Sequence, residues 1–210
     1  MLKTAVLLTV VAFVGLMVSV TSATIGTKLP LVYPFIHREQ SNQVEDEAVK
    51  VDFEETVEAN RWRTVDDTVM GGASQGSFTI MPAGVGVFSG ELSLENSGGF
   101  SSVKRNVEAG DLEGVDAIAL RLRGDGRRYQ FRLKMDRSDC TLSHRAEFDT
   151  QADEWLTVSL PLESFEPVFR GRIVEDAPPL AAERVQEMSL LLAGKQTGEF
   201  RLEIDWIEGE

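Results

Sequence analysis

The sequence predicts an all-β fold, an antiparallel β-sandwich of the jelly-roll kind, and three observations support this prediction. Apolar and polar residues alternate with a period of two in short segments, and Gly-rich breaks separate these segments. No long stretch has helical periodicity. Such alternation buries one face of a strand and leaves the other in water, as in a sheet packed on one side. Many short strands between turns are typical of a sandwich. The alternating segments are 118–123, 129–135, 156–162, 188–192 and 200–206.

Residues 1–23 have the pattern of a secretory signal. Lys3 precedes the almost wholly apolar run Ala5 to Val20, and the small residues Thr21-Ser22-Ala23 follow it. This order favours cleavage after Ala23. The alternative is an uncleaved membrane anchor, although the run is shorter than the roughly 20 residues that a spanning helix needs. We therefore expect a protein that is exported, periplasmic or secreted, or anchored to a membrane through residues 1–23.

Residues 24–50 are predicted to form a flexible acidic linker. They have no clear periodicity, Pro30 and Pro34 interrupt an apolar patch, and acidic residues accumulate from Glu39 onward. Pro and like charges in such a segment favour an extended spacer. The folded domain is accordingly predicted to span residues 51–210.

The Gly124-Asp125-Gly126 turn predicts a β-hairpin between its flanking strands. A four-residue loop would pair Leu122 with Tyr129 on the buried face and set Arg123 opposite Arg128 on the outer face. Like charges that face each other directly are unfavourable. Either an acidic group lies near the two guanidinium groups, or both extend into water.

Composition excludes several classes of function. The formal charge of −13 and the pI near 4.7 disfavour binding to nucleic acids and to anionic membranes. The only histidines are His37 and His144, Cys140 is the only cysteine, and no pair has metal-ligand spacing. There is no dinucleotide-binding fingerprint. We expect no catalytic residue, no metal and no cofactor.

The three tryptophans leave a carbohydrate-binding role open. Trp206 belongs to an alternating segment and is expected in the core. Trp62 and Trp155 have no such assignment, so they either form a platform for stacking sugars or pack under the edges of the sandwich. An enzyme acting on sugars would need two converging carboxylates, and the adjacent Asp66 and Asp67 tend to point apart.

The motif Asp66-Asp67-Thr68-Val69-Met70-Gly71-Gly72-Ala73-Ser74 is the most informative segment of the sequence. The paired glycines allow a tight turn with exposed amides. With four later segments, the motif resembles the complex I intermediate-associated protein family, thirty-kilodalton class. The five segments are 62–74, 88–103, 121–131, 165–180 and 198–207.

The resemblance implies a galactose-binding-like jelly roll without catalytic activity. A eukaryotic member of the family acts as a chaperone-like factor in the assembly of respiratory complex I, so the implied partners are protein subunits of a membrane complex. This chain differs in two ways: no dinucleotide-binding domain is attached, and its start has the pattern of an export signal. A carbohydrate-binding module is the alternative.

Eleven residues are the candidates for partner or ligand binding. The glycines are expected to shape the backbone, Met70 to provide an adaptable apolar contact, and the acids and arginines to form a charge network. For the glycines and Asp125, pinning of the loops within the domain is an equally good interpretation. The candidates are Asp66, Asp67, Met70, Gly71, Gly72, Ser74, Arg123, Asp125, Arg128, Arg170 and Arg172.

Overall fold

The computed structural model describes residues 49–138 and 141–210. The signal or anchor predicted for residues 1–23, the linker up to residue 48 and Cys140 lie outside these residues. The strands are β1 Lys50–Asp52, β2 Trp62–Asp66, β3 Gln75–Met81, β4 Val85–Leu92, β5 Phe100–Asn106, β6 Ala117–Arg123, β7 Arg128–Lys134, β8 Ser143–Asp149, β9 Trp155–Pro161, β10 Glu166–Phe169, β11 Arg172–Ile173, β12 Glu187–Ala193 and β13 Gly198–Gly209. Short 3₁₀ helices occupy Thr56–Arg61, Asp67–Met70, Glu95–Ser97, Leu162–Ser164 and Ala182–Arg184.

The strands form two antiparallel sheets, which confirms the predicted β-sandwich. The first sheet has the order β3-β4-β13-β6-β9, with β1 also paired to β13. The second sheet has the order β11-β10-β8-β7-β12-β5-β2. Within the described residues, no helix combines the length and the apolar character needed to cross a membrane.

The core consists of the apolar residues that alternate along the strands. Phe88, Leu122 and Leu202 of the first sheet are fully buried, as are Phe131 and Leu190 of the second. Each fully buried side chain of this size contributes about 1.5–3 kcal/mol relative to an exposed one. The period of two in the sequence therefore marks the face of each strand that stabilises the fold.

The hairpin predicted at Gly124–Gly126 is wrong. Leu122 on β6 and Tyr129 on β7 are both buried, but their strands belong to different sheets. Leu122 pairs with Ile204 and Leu156, whereas Tyr129 pairs with Phe148. A short loop between two strands that both turn apolar residues inward can connect neighbours in one sheet or cross from one sheet to the other. The turn therefore carries the chain across the sandwich.

The assignment of the tryptophans also needs correction. The register of β13 shifts between Ile204 and Trp206, and Ile207 rather than Trp206 returns to the core. Trp206 is only half-buried. Trp62, in contrast, is buried, lies 4.7 Å from Phe78 between ring centroids, and donates its indole N–H to Glu58. A bulge adds one residue to a strand and turns the following side chains to the other face.

Candidate functional site

Asp67 is the centre of the first candidate loop, and its carboxylate is completely buried. Its Oδ1 accepts a hydrogen bond from the Ser74 backbone N–H at 2.9 Å. Its Oδ2 accepts from the Ser74 hydroxyl at 2.6 Å and from the backbone N–H groups of Gly99 at 2.6 Å and Phe100 at 3.2 Å. One carboxylate thus ties the loop after β2 to the start of β5. We call Asp67, Ser74 and residues 98–100 the Asp67 clamp.

Glycines are needed where the clamp closes. Gly71 ends the 3₁₀ turn with φ +90°, a conformation that other residues rarely adopt. A Cβ atom on Gly72 would overlap the Asp67 carboxylate, and one on Gly98 would lie 2.5 Å from its Oδ2. The paired glycines of the motif therefore allow close packing around a buried charge.

Hydrogen bonding determines the charge state of the clamp. Burial by itself raises the pKa of Asp67, but the donors on Ser74, Gly99 and Phe100 outweigh burial and leave the pKa below its ordinary value. The neighbouring Asp66 accepts from the Gly76 N–H at 3.0 Å and the Ser101 hydroxyl at 2.6 Å. Both acids of the motif consequently have internal partners.

The clamp presents an apolar tip. Val69 and Met70, within the 3₁₀ turn Asp67–Met70, are 70% and 69% exposed. Residues 68–74 contain no charged side chain. Leu94, on the neighbouring loop that leads to the clamp glycines, is also exposed. We call Val69 and Met70 the apolar tip; both side chains are available to a partner.

Arg123 lies on the outer face of the first sheet and is held by Glu203. Its Nε donates to Glu203 at 2.7 Å, and its guanidinium carbon lies 5.2 Å from the centroid of the Trp155 ring. Arg201 donates to the same carboxylate at 2.7 Å. Burial favours a higher pKa for Glu203, but hydrogen bonds from Arg201 and Arg123 lower it overall. Trp155 is additionally approached by Arg121, at 5.8 Å.

Asp125 lies in the crossover loop between β6 and β7, and Arg128 is the first residue of β7. Asp125 accepts from the Tyr129 hydroxyl at 3.1 Å and the Arg201 backbone N–H at 3.0 Å, so it joins β7 to β13. Arg128 makes a bidentate pair with Asp149 on β8, at 2.7 and 2.8 Å. Arg123 and Arg128 thus never oppose each other, and each has its own carboxylate.

Arg170 and Arg172 lie on an exposed hairpin between β10 and β11. Arg170 and Gly171 form its turn, with φ of 49° and 79°, and the guanidinium of Arg170 lies 5.3 Å from the centroid of the Phe169 ring. Within the described residues, neither arginine has a carboxylate within 4.0 Å. A positive φ at a residue with a long side chain is uncommon, and it projects Arg170 from the edge of the sheet.

The structure brings only part of the candidate set together. The loop that carries the clamp and the tip contains six of the candidates: Asp66, Asp67, Met70, Gly71, Gly72 and Ser74. Among the described residues, the candidate arginines form no ion pair with Asp66 or Asp67, so the predicted charge network between them is not present. Sequence reasoning missed Val69 and the acids Glu203 and Asp149. The run Val69-Met70 in a polar loop was the available signal for the tip.

The described part of the chain contains no group of three His, Cys, Asp or Glu side chains that could hold a metal ion. Its chemistry is that of packed loops, paired charges and exposed apolar side chains.

Comparisons with known proteins place this fold. The model of the family described as Complex I intermediate-associated protein 30 (CIA30) matches residues 51–204. Uncharacterized protein C9E9.15 of Schizosaccharomyces pombe is 29% identical over 166 residues, which cover 70% of this chain and 76% of the relative.

Solved structures show the same architecture at low identity. The family 11 carbohydrate-binding module of the cellulosomal cellulase Lic26A-Cel5E of Clostridium thermocellum has a TM-score of 0.59 at 13% identity, over 78% of this chain and 95% of the module. The agarase AgWH50C has a TM-score of 0.52 at 10% identity, over 78% of this chain and 25% of the agarase. These likenesses concern the fold alone. Since the family model matches nearly the whole described domain, the chain belongs to the complex I intermediate-associated protein 30 family.

Proposed function

We propose that this protein is a non-catalytic, chaperone-like factor that binds protein subunits during assembly of a membrane-associated complex of the respiratory complex I type. Family membership supports the class of function. The observation that carries the proposal is the apolar tip, two exposed side chains on a loop held by the buried Asp67 carboxylate.

The apolar tip has the physical properties of a protein contact. Burial of apolar surface releases about 25 cal/mol per Å², so Val69 and Met70 gain from leaving water. The clamp fixes the turn before binding, which lowers the entropic cost of ordering a loop on association. The unbranched Met70 side chain adapts to partners of different shape. Neutral residues around the tip avoid desolvation of charge.

Carbohydrate binding is the second candidate, favoured by the structural similarity to a carbohydrate-binding module. Trp62 and Trp155 were the two candidates for a sugar-stacking platform. Trp62 is buried, and guanidinium groups of Arg121 and Arg123 lie over the Trp155 ring. Trp62 therefore offers no face to a sugar, and the Trp155 ring already has two guanidinium partners. Protein binding therefore has the stronger support.

Export or membrane anchoring through residues 1–23 is part of the proposal. It brings the domain to a membrane complex without requiring the domain itself to bind lipid. Sequencing the N-terminus of the mature protein tests it: a chain beginning after Ala23 supports a cleaved signal, and an intact Met1 in a membrane fraction supports an anchor. An intact soluble chain contradicts both.

Affinity capture from native membranes tests the function. The bait is the full chain, compared with a Val69→Ser/Met70→Ser variant and with a Val57→Ser control, since Val57 is 54% exposed elsewhere on the surface. Substitutions at exposed positions of this kind usually change stability by less than about 0.5 kcal/mol, so all three baits should fold. We expect wild type and control to retain subunits of a respiratory membrane complex and the tip variant to lose them. Capture of no such subunit, or equal capture by all three baits, contradicts the proposal; glycan-array binding by the wild type would then favour the second candidate.

A further inference from the structure

A row of basic side chains crosses the outer face of the second sheet. Residues paired directly across neighbouring strands point to the same face and lie about 4.5–5.5 Å apart. The pairing registers align one residue from each of six strands, from β10 to β2. The row, in order, is Glu166, Arg145, Arg132, Ser189, Lys104 and Arg63.

Arg132 and Arg145 are a like-charge pair in the middle of this row. Arg145 lies 3.3 Å from Glu166 and 3.6 Å from Glu147. Arg132 has no carboxylate within 4.0 Å among the described residues, and its Nε and one terminal nitrogen donate only to the Gln130 side chain. Burial, and then the neighbouring Arg145, lower the pKa of Arg132 to about 10. A half-buried guanidinium beside a second one is an unfavourable arrangement that an added anion would relieve.

A hydrogen-bond donor next to Arg132 is also unused. The Nε of Arg145 is buried without an acceptor in the structure. Ser189, directly opposite Arg132, is 5% exposed. Buried polar groups of native proteins almost always have partners. The Arg145 Nε, on the strand beside Arg132, is therefore a buried donor that lacks an acceptor.

The charge of the row contrasts with that of the protein. Four of its six residues are basic and one is acidic, in a chain with a net charge of −13. Glu187, next to the row on β12, pairs with Arg63 and Lys104, and Glu147 on β8 lies 3.6 Å from Arg145. Arg132 is thus the basic residue of the row without a carboxylate within 4.0 Å among the described residues.

We propose that this basic row binds an acidic segment of a protein partner, with Arg132 receiving a carboxylate. The two strand spacings from β8 to β12 cover roughly 10 Å, the length of about three residues of an extended peptide. A single phosphate would occupy one pair of positions only. Guanidinium groups bind carboxylates in a bidentate geometry, and the oxygens would also accept from Arg145 and Ser189. The identification of the ligand as a protein segment rests on the proposed function.

Titration calorimetry of the purified full chain tests the row, with a hexaglutamate peptide as probe in 0.1 M NaCl. Hexaglutamine and inorganic phosphate are the comparison ligands. We expect Arg132→Gln to weaken hexaglutamate binding about tenfold, the loss of about 1.4 kcal/mol that one charge-assisted contact carries. Arg121→Gln, the same charge change on the outer face of the other sheet, is the matched control and should leave binding unchanged. Arg132→Lys, which keeps the charge but loses the planar fork, should give an intermediate loss and provides a second variant if Arg132→Gln does not fold.

Three results would overturn the proposal. The first is no binding of hexaglutamate by the wild type, and the second is an equal loss from Arg132→Gln and Arg121→Gln. The third is phosphate binding as tightly as hexaglutamate, which would make this a site for small anions. None of these results bears on capture through the apolar tip, so the two proposals fail separately.

Discussion

Asp67→Asn is the substitution that most directly tests the clamp. It preserves the size of the side chain and replaces one carboxylate oxygen by an NH₂ group. The carboxylate accepts one hydrogen bond on Oδ1 and three on Oδ2. The asparagine oxygen best replaces Oδ2, because three donors converge there. Its NH₂ group then faces the Ser74 backbone N–H, so two donors meet.

The cost has two parts. A buried N–H group left without an acceptor costs about 1–3 kcal/mol. The three remaining bonds lose the negative charge that strengthens them, at a few tenths to about 1 kcal/mol each, because charge-assisted bonds are roughly twice as strong as neutral ones. Together these effects predict a loss of about 2–6 kcal/mol. For a domain of this size, about 4 kcal/mol corresponds to a decrease in Tm of roughly 8–16 °C.

Urea unfolding followed by circular dichroism measures this loss, with Asp66→Asn as the matched control. Asp66 is the adjacent residue, is only partly buried and accepts two hydrogen bonds, so we expect a loss of about 1–2 kcal/mol. If Asp67→Asn costs no more than Asp66→Asn, the carboxylate does not hold the loop and the clamp is refuted.

Three further predictions follow from the same contacts. His144 is buried and its Nε2 donates to the Pro178 carbonyl, and burial lowers its pKa below 6.5. As the pH falls, the imidazole is therefore protonated in the unfolded chain before it is protonated in the folded protein. The free energy of unfolding should consequently fall as the pH drops below about 6.5. This pH dependence should be absent in His144→Asn. An equal response of the two proteins to pH would contradict the prediction. Glu203→Gln should cost about 1–2 kcal/mol in urea unfolding, since its charge-assisted hydrogen bonds come from Arg123 and Arg201, which are 37% and 52% exposed; an unchanged stability contradicts this role of the carboxylate. Trp62→Ala should cost about 3–5 kcal/mol of unfolding free energy and Trp206→Ala clearly less, because of these two only Trp62 is in the core. A larger loss from Trp206→Ala would contradict the bulge that turns Trp206 away from the core.

The strands themselves could be predicted from the sequence, and their partners could not. Alternation along 118–123 is a local property, and the structure buries Leu120 and Leu122 as expected. Which strand lies beside β6 depends on β13 and β9, whose residues are more than 30 positions away in the chain. Loop length alone does not separate a hairpin from a crossover. The bulge before Trp206 has no counterpart in the alternating pattern, so the wrong face was assigned.

The candidate site shows the same limit. The motif around Asp67 could be recognised as a tight loop from Gly71 and Gly72, and it is one. The sequence does not show that the Asp67 carboxylate points inward, because its acceptor role depends on Gly99 and Phe100, 32 and 33 positions later. The residues of the motif that are free to bind a partner are accordingly the apolar Val69 and Met70, which follow the two acids.

The position of β13 has a consequence for biosynthesis. It is the last strand of the domain, yet it lies between β4 and β6 in the first sheet and also pairs with β1. Until a ribosome has released residues 198–209, that sheet lacks the strand that joins its two halves. The first sheet can therefore close only after residues 198–209 have left the ribosome. Long-range strand pairing of this kind is slow, so β4 and β6 each keep an unpaired edge until β13 is added.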